Sequence, residues 1–172
     1  MAKYFLRELE RSDAAVINKW RNDRKIIESL GSPYRYISGA VDDAWVDNYL
    51  ANRSNCVRLM ICDAGTKKAI GAVYLLNIDW ISRNCEFSIW IGDRDAQGKG
   101  AGYFASQKAI EHAFNDMNLN SIYLTVLSEN QRAMNLYKKL GFQVEGTRRQ
   151  AVFKNGCYSD MCIMSILRSE FV

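Results

Sequence analysis

Residues 97 to 102 of this chain read Gln-Gly-Lys-Gly-Ala-Gly. Before them, Asn84 to Ile91 alternates as a strand does, and after them Ala101 to Met117 places Ile110, Ala113, Phe114 and Met117 on one helical face. A strand that passes through a glycine turn into a helix points to an α/β layer arrangement. The turn itself is suited to a ligand. Glycines let backbone N–H groups approach closely because no Cβ intervenes. A helix start adds unpaired donors and a partial positive charge. Together they favour a pyrophosphate or a similar anion.

Three phosphate-binding patterns compete for this segment. A P-loop needs Ser or Thr after Gly-Lys, and Gly98-Lys99 is followed by Gly100. A dinucleotide fingerprint needs a further glycine where Tyr103 stands, and it opens the first βα unit of a chain, whereas this segment comes late. The third pattern is Gln-x-x-Gly-x-Gly, carried by Gln97, Gly100 and Gly102, with the N–H groups of 98 to 102 around the anion. A plain flexible loop before a helix is the bland alternative.

The remaining chain reads as alternating elements without repeats, low-complexity tracts or linkers. Tyr4 to Leu9 predicts a first strand, and Ser12 is placed to cap a helix carrying Val16, Ile17 and Trp20. Residues 26 to 43, with Gly31, Pro33 and Gly39, read as a loop with room for a short helix, and Ala44 to Ala51 as a second helix. Val57 to Cys62 and Ala69 to Ile78 form a hairpin around Gly65. Ser121 to Leu127 predicts a strand, and Asn130 to Leu140 a helix stopped by Gly141. Phe142 to Phe153 and Cys157 to Leu167 predict strands joined at Asn155-Gly156, a strong hairpin signal. The sum is a mixed α/β sheet.

A second constellation lies on the helix from 130. Asn130, Ala133, Met134 and Tyr137 share one face. Asn130 sits where an amide caps the helix and meets a ligand, and Tyr137 offers a phenol as a proton donor. The bland reading of Tyr137 is a core residue with its hydroxyl at the rim. On the strand before the glycine turn, Glu86, Ser88 and Trp90 share one face, and Cys85, Phe87, Ile89 and Ile91 the other. Glu86 is the candidate base, against a structural carboxylate paired with a cation. His112, the one histidine, reads as a solvated residue beside Glu111.

Gln97-Gly98-Lys99-Gly100-Ala101-Gly102, followed by Asn130-x-x-Ala133-x-x-Leu136-Tyr137-x-x-Leu140-Gly141-Phe142, resembles the GCN5-related N-acetyltransferases (GNAT). The resemblance runs from about residue 3 to 167. The tail from Glu145-Gly146-Thr147-Arg148-Arg149 through Phe153, Gly156, Tyr158, Asp160 and Met164 is similar to the subgroup of ribosomal-protein alanine and spermidine acetyltransferases. The resemblance implies one GNAT domain over residues 1 to 172, with a mixed, mostly antiparallel sheet of six to seven strands and about four flanking helices. It implies acetyl-CoA as co-substrate. The backbone of Ile89, Trp90 and Ile91 would pair with its pantetheine arm, Gln97, Gly98, Lys99, Gly100, Ala101 and Gly102 would hold its pyrophosphate, and Asn130 would face the pantetheine. Tyr137 would protonate the leaving thiolate and Glu86 would deprotonate the amine, directly or through water. The implied reaction is direct transfer in a ternary complex, without a catalytic metal or a cysteine nucleophile.

The acceptor expected from the resemblance is a small primary amine, a polyamine or an amino sugar. A protein N-terminus, an aminoglycoside-type antibiotic, or no reaction at all in a CoA-binding module are the alternatives. Specificity is assigned to residues 24 to 46 and the last hairpin. Glu28, Asp42, Asp43 and Asp47 suit a cationic amine, Arg24, Lys25 and Arg35 offset them, and Tyr34, Tyr36 and Trp45 suit a sugar or peptide. A net charge of +4 helps to attract an anionic cofactor and falls short of a nucleic-acid footprint. Five cysteines, an odd number without Cys-x-x-Cys, suggest neither a disulfide framework nor a zinc site and fit a reducing cytoplasm, with Cys62 and Cys85 as core residues. The N-terminal residues do not read as a signal peptide, and no apolar run reaches the roughly 18 residues a bilayer requires. Exposed strands at the sheet end are compatible with a homo-oligomer.

Overall fold

The structure, a computed structural model, describes residues 2–171. Its strands are β1 (Tyr4–Glu8), β2 (Val57–Asp63), β3 (Ala69–Asp79), β4 (Asn84–Ile91), β5 (Ser121–Leu127), β6 (Gln143–Lys154) and β7 (Cys157–Leu167). They form one seven-stranded sheet in the order β1-β2-β3-β4-β5-β7-β6. Every neighbouring pair is antiparallel except β4 and β5, which run parallel. The helices are α1 (Ala14–Arg21), α2 (Arg24–Glu28), α3 (Gly39–Ala51), α4 (Ala101–Glu111) and α5 (Gln131–Lys139).

The inner strands β2 and β3 are covered on both faces, so they are apolar on both sides of the pleat. Met60, Cys62, Ala72 and Tyr74 point to a core with Ile17, Trp20, Ile26, Val46 and Tyr49 from α1 to α3. Ile61, Val73, Leu75, Cys85 and Phe87, the intervening residues, point to a core with Ala105, Ile110, Phe114 and Tyr137 on the α4–α5 side. Phe114 is fully buried, a contribution of about 1.5–3 kcal/mol for a side chain of its size. Asn155 and Gly156 both take positive φ (50° and 80°), the geometry a two-residue hairpin needs.

Four elements differ in detail from the sequence expectation. Ser12 caps nothing: it lies within a 3-10 turn, Arg11–Asp13, where the Glu10 N–H donates to the Asp13 carboxylate at 2.9 Å. The short helix for which residues 26 to 43 left room begins earlier, at Arg24. The Asp23 carboxylate accepts from the Lys25 N–H at 3.0 Å and caps α2, too short to show a helical period. The helix expected from Ala44 starts at Gly39. Its first turn holds a glycine and exposed residues, and the inward residue there is a buried carboxylate, Asp42, rather than an apolar one. The helix expected to Met117 ends its α-helical part at Glu111 and continues as a π-turn, His112–Asp116. His112 lies there, hydrogen-bonded to Asp116 at 2.7 Å. No helix among the described residues is long and apolar enough to cross a membrane.

Candidate active site

β4 and β5 pair only at Asn84–Ser121, Cys85–Ile122 and Glu86–Tyr123. Beyond Glu86, β4 stays with β3 as far as Ile91, while β5 stays with β7 as far as Leu127. The sheet therefore opens, and one edge of residues 87 to 91 lacks a strand partner. A cleft of about 1120 Å³ occupies the gap, with Phe87 to Ile91 on one wall and Thr125 to Leu127 on the other.

The glycine turn closes one end. Gly98 and Gly100 adopt φ of +76° and +91°, a region that L side chains rarely enter. Gly100 is the N-cap of α4. A Cβ on Gly100 would meet no protein atom within 4 Å, so the turn presents bare backbone to open space. The first N–H groups of α4 have no intrahelical acceptor and remain for a ligand. Arg132 of α5 adds a cation, its Nη2 lying 3.5 Å from where a Gly98 Cβ would be. Gly98, Gly100 and Gly102 line the cleft. Lys99 and Ala101 do not: the Lys99 carbonyl accepts the Tyr4 hydroxyl at 2.9 Å, and Ala101 is buried in the core. The Gln97 side chain, expected on the pyrophosphate, donates to the Ile91 carbonyl at 3.1 Å and braces the end of β4.

Tyr137 and Glu86 line the same cleft from opposite sides. The Tyr137 ring is buried, edge-on to Phe87 at 6.1 Å and tilted against Phe142 at 5.8 Å. Burial pushes its phenol up to about 12, so it carries its proton at neutral pH. Glu86 accepts a hydrogen bond from the Asn77 amide at 2.8 Å and has no cationic partner among the described residues. Asn130 caps α5 by accepting from the Ala133 N–H at 3.1 Å, and its amide nitrogen donates to the Ser29 carbonyl at 3.0 Å. Both ends of that side chain are engaged within the protein.

The segment after α2 forms a wall of the cleft and is clamped from three elements. Besides Asn130, Met161 packs at Gly31, and the buried Lys154 donates to the carbonyls of Ile27, Glu28 and Leu30 at 2.8, 2.9 and 2.5 Å. Burial draws the Lys154 ammonium below the ordinary lysine range, and Glu28 and Glu129 counter it. Neither Lys154 nor Arg132 stood out in the sequence, because their partners are distant in the chain. For Lys154, its place just before the Asn155-Gly156 turn was the one local signal.

The acidic residues expected to attract an amine do not gather at the cleft. Asp42 is buried under Arg21 and Asn18, and Asp47 pairs with Arg11 at 3.2 Å. Asp43 and Glu28 are exposed and do not line it. Of the aromatic candidates only Trp45 lines the cleft, while Tyr34 and Tyr36 take the Arg24 guanidinium at 4.0 and 5.9 Å.

Residues 3–143 match the family model described as acetyltransferase (GNAT) domain. The chain belongs to the GNAT family. Among GNAT relatives it is similar to spermidine N(1)-acetyltransferase of Vibrio cholerae, 34% identical over 97% of this chain and 94% of that one. The spermidine N(1)-acetyltransferase of Escherichia coli K12 is 32% identical over 97% and 87%. The crystal structure of the Vibrio cholerae spermidine enzyme in complex with CoA and spermine superposes with a TM-score of 0.91, covering 98% of this chain and 97% of that one. This GNAT protein is thus an N-acetyltransferase with acetyl-CoA as co-substrate. The opened strand pair, the bare turn at Gly98 and Gly100 and the Arg132 cation fit a thioester with an extended arm and a pyrophosphate.

Proposed function

We propose that this chain, acting as one domain, moves the acetyl group of acetyl-CoA directly to the primary amine of a small molecule. The observation that carries the reading is the parting of β4 from β5 after Glu86. It gives one cleft that runs from the glycine turn to a carboxylate and a protonated phenol. Acetyl-CoA supplies the activated acetyl group. The edge of Ile89 to Ile91 and the turn at 98 to 102 hold and orient it. Gln97 and Asn130 keep those elements in place, with Asn130 also at the cleft wall.

Glu86 takes a proton from the substrate ammonium, directly or through water, and exposes the nitrogen lone pair. The new N–C bond forms as the C–S bond breaks. Tyr137 gives its proton to the departing sulfur, and the second proton, shed by the newly acetylated nitrogen, returns through water to restore the phenol. The buried setting of Tyr137 keeps the phenol neutral, so a proton is in place for the sulfur as the C–S bond breaks.

A polyamine is the acceptor that the names of the relatives suggest. An amino sugar is the second reading, favoured by one observation: Glu86 is the lone carboxylate among the described residues lining the cleft, whereas a polyamine brings several ammonium groups. A thiol-release assay with acetyl-CoA and a panel of polyamines, amino sugars, aminoglycosides and peptides with free N-termini tests the proposal. Turnover of a small amine is the expected result. Turnover confined to peptides would replace it with protein N-terminal acetylation.

A further inference from the structure

The acceptor side of the cleft is built on the sheet face that carries Glu86 and Ser88. In register on that face, Arg58 of β2 pairs with Tyr74 of β3, and Tyr74 pairs with Ser88 of β4. Trp45 of α3 covers the row. The Arg58 guanidinium carbon stands 4.6 Å from the Trp45 ring centre and 4.7 Å from that of Tyr74. Its Nε is buried without a hydrogen-bond partner among the described residues. None of the ion pairs among the described residues involves Arg58.

Other cations surround this one. Arg21 reaches the same Trp45 ring at 5.8 Å, with its charge balanced by the buried Asp42. Lys25, Arg35 and Arg148 also line the cleft, without carboxylate partners among the described residues. One reacting amine needs one carboxylate, and Glu86 provides it. An acceptor made only of ammonium groups would place its remaining charges against arginines. An acceptor with an acidic group would match both ends of the wall.

We propose that the acceptor is an amine that also carries a phosphate or a carboxylate, and that Arg58 receives that acidic group. This deepens the small-amine reading and rests on it. Arg58 is suited to the task because contact with both the Trp45 and the Tyr74 ring restrains its guanidinium, and a planar fork binds a phosphate or carboxylate through two parallel hydrogen bonds. Arg21 is the poorer choice for substrate, since it already neutralises Asp42.

Two measurements test the assignment. In the first, pyrophosphate is titrated calorimetrically into protein saturated with CoA, which fills the glycine turn and leaves the acceptor side to be read. Saturable binding is expected, weakened at least about tenfold in Arg58→Met and partly kept in Arg58→Lys. Thermal melts establish that the variants fold, and methionine suits the aromatic slot. No binding to CoA-saturated wild type, or equal binding to folded Arg58→Met, would overturn the proposal. In the second, thiol release is compared for glucosamine 6-phosphate against glucosamine, alanine against alaninamide, and spermidine. Preference for the phosphate or the carboxylate member identifies the acidic group, and preference for spermidine or the members without an acidic group overturns the inference while leaving the transferase intact. Silence with every amine counts against the small-amine reading alone, because the pyrophosphate titration reads Arg58 without turnover.

Discussion

A phenol buried among aromatic rings, with no partner for its hydroxyl among the described residues, keeps its proton well past neutral pH. That is the state of Tyr137, and it suits an acid rather than a base. Tyr137→Phe keeps the ring contacts and removes the proton. The expected result is a kcat lower by about 10²-fold with acetyl-CoA affinity unchanged, read by steady-state kinetics and calorimetry. Equal turnover would remove Tyr137 from the proton path. Glu86→Gln keeps the side-chain shape and can still accept from Asn77, so a fall in kcat/KM for the amine of about tenfold or more is the mark of a base. Full activity in that variant would assign the proton to water alone. The places of Tyr137 and Glu86 on the cleft were legible in the sequence because each follows a local period, helical or alternating. Arg58 and Arg132 were not, since a lone arginine in a strand or helix carries no sign of what lies across the fold from it.

The glycine turn and the clamp on the α2 segment make separable demands on the two substrates. Gly100→Val forces a branched side chain into a left-handed backbone, at a cost of about 1–2 kcal/mol, and projects it into the open space of the turn. Acetyl-CoA binding should be lost in calorimetry while the fold persists in circular dichroism, and retained affinity would place the pyrophosphate elsewhere. Lys154→Met removes three hydrogen bonds to carbonyls of the acceptor wall. The expected outcome is a raised KM for the amine, an unchanged KM for acetyl-CoA, and a stability loss of about 1–3 kcal/mol from carbonyls left without a donor. A parallel rise in both KM values would mean that the clamp holds the whole cleft. The sequence read the sheet closely at this scale: Asn84 to Ile91 and Ser121 to Leu127 are strands with the expected bounds. It was less complete at residues 26–43, where α2 buries Ile26 and Ile27 but is too short to show a period and is held by a cap and a distant lysine, and where α3 begins on the Arg21–Asp42 ion pair. Hydrophobic periodicity does not report elements held by polar contacts.

Across the whole molecule the two cores on either side of the sheet share one sensitivity. Tyr74 sits in the core under α1 to α3 and Tyr137 in the core under α4 and α5. Burial pushes each phenol up to about 12, against about 10 in an unfolded chain. Between those values the unfolded chain has released protons that the folded chain still holds, so unfolding releases protons and stability falls as pH rises. The contribution is whole below pH about 10 and gone above about 12, and a shift of this size corresponds to roughly 2–3 kcal/mol for each phenol. Melting temperatures measured from pH 8 to pH 11.5 should therefore hold steady and then drop as tyrosinate absorbance appears with unfolding. Lysines lose charge in the same range, and Tyr137→Phe separates the two causes. Its melting curve should fall less steeply above pH 10 than that of the wild type, because phenylalanine has no proton to lose. Parallel curves for the two proteins would show that the lysines, rather than the buried phenol, set the alkaline limit of this fold.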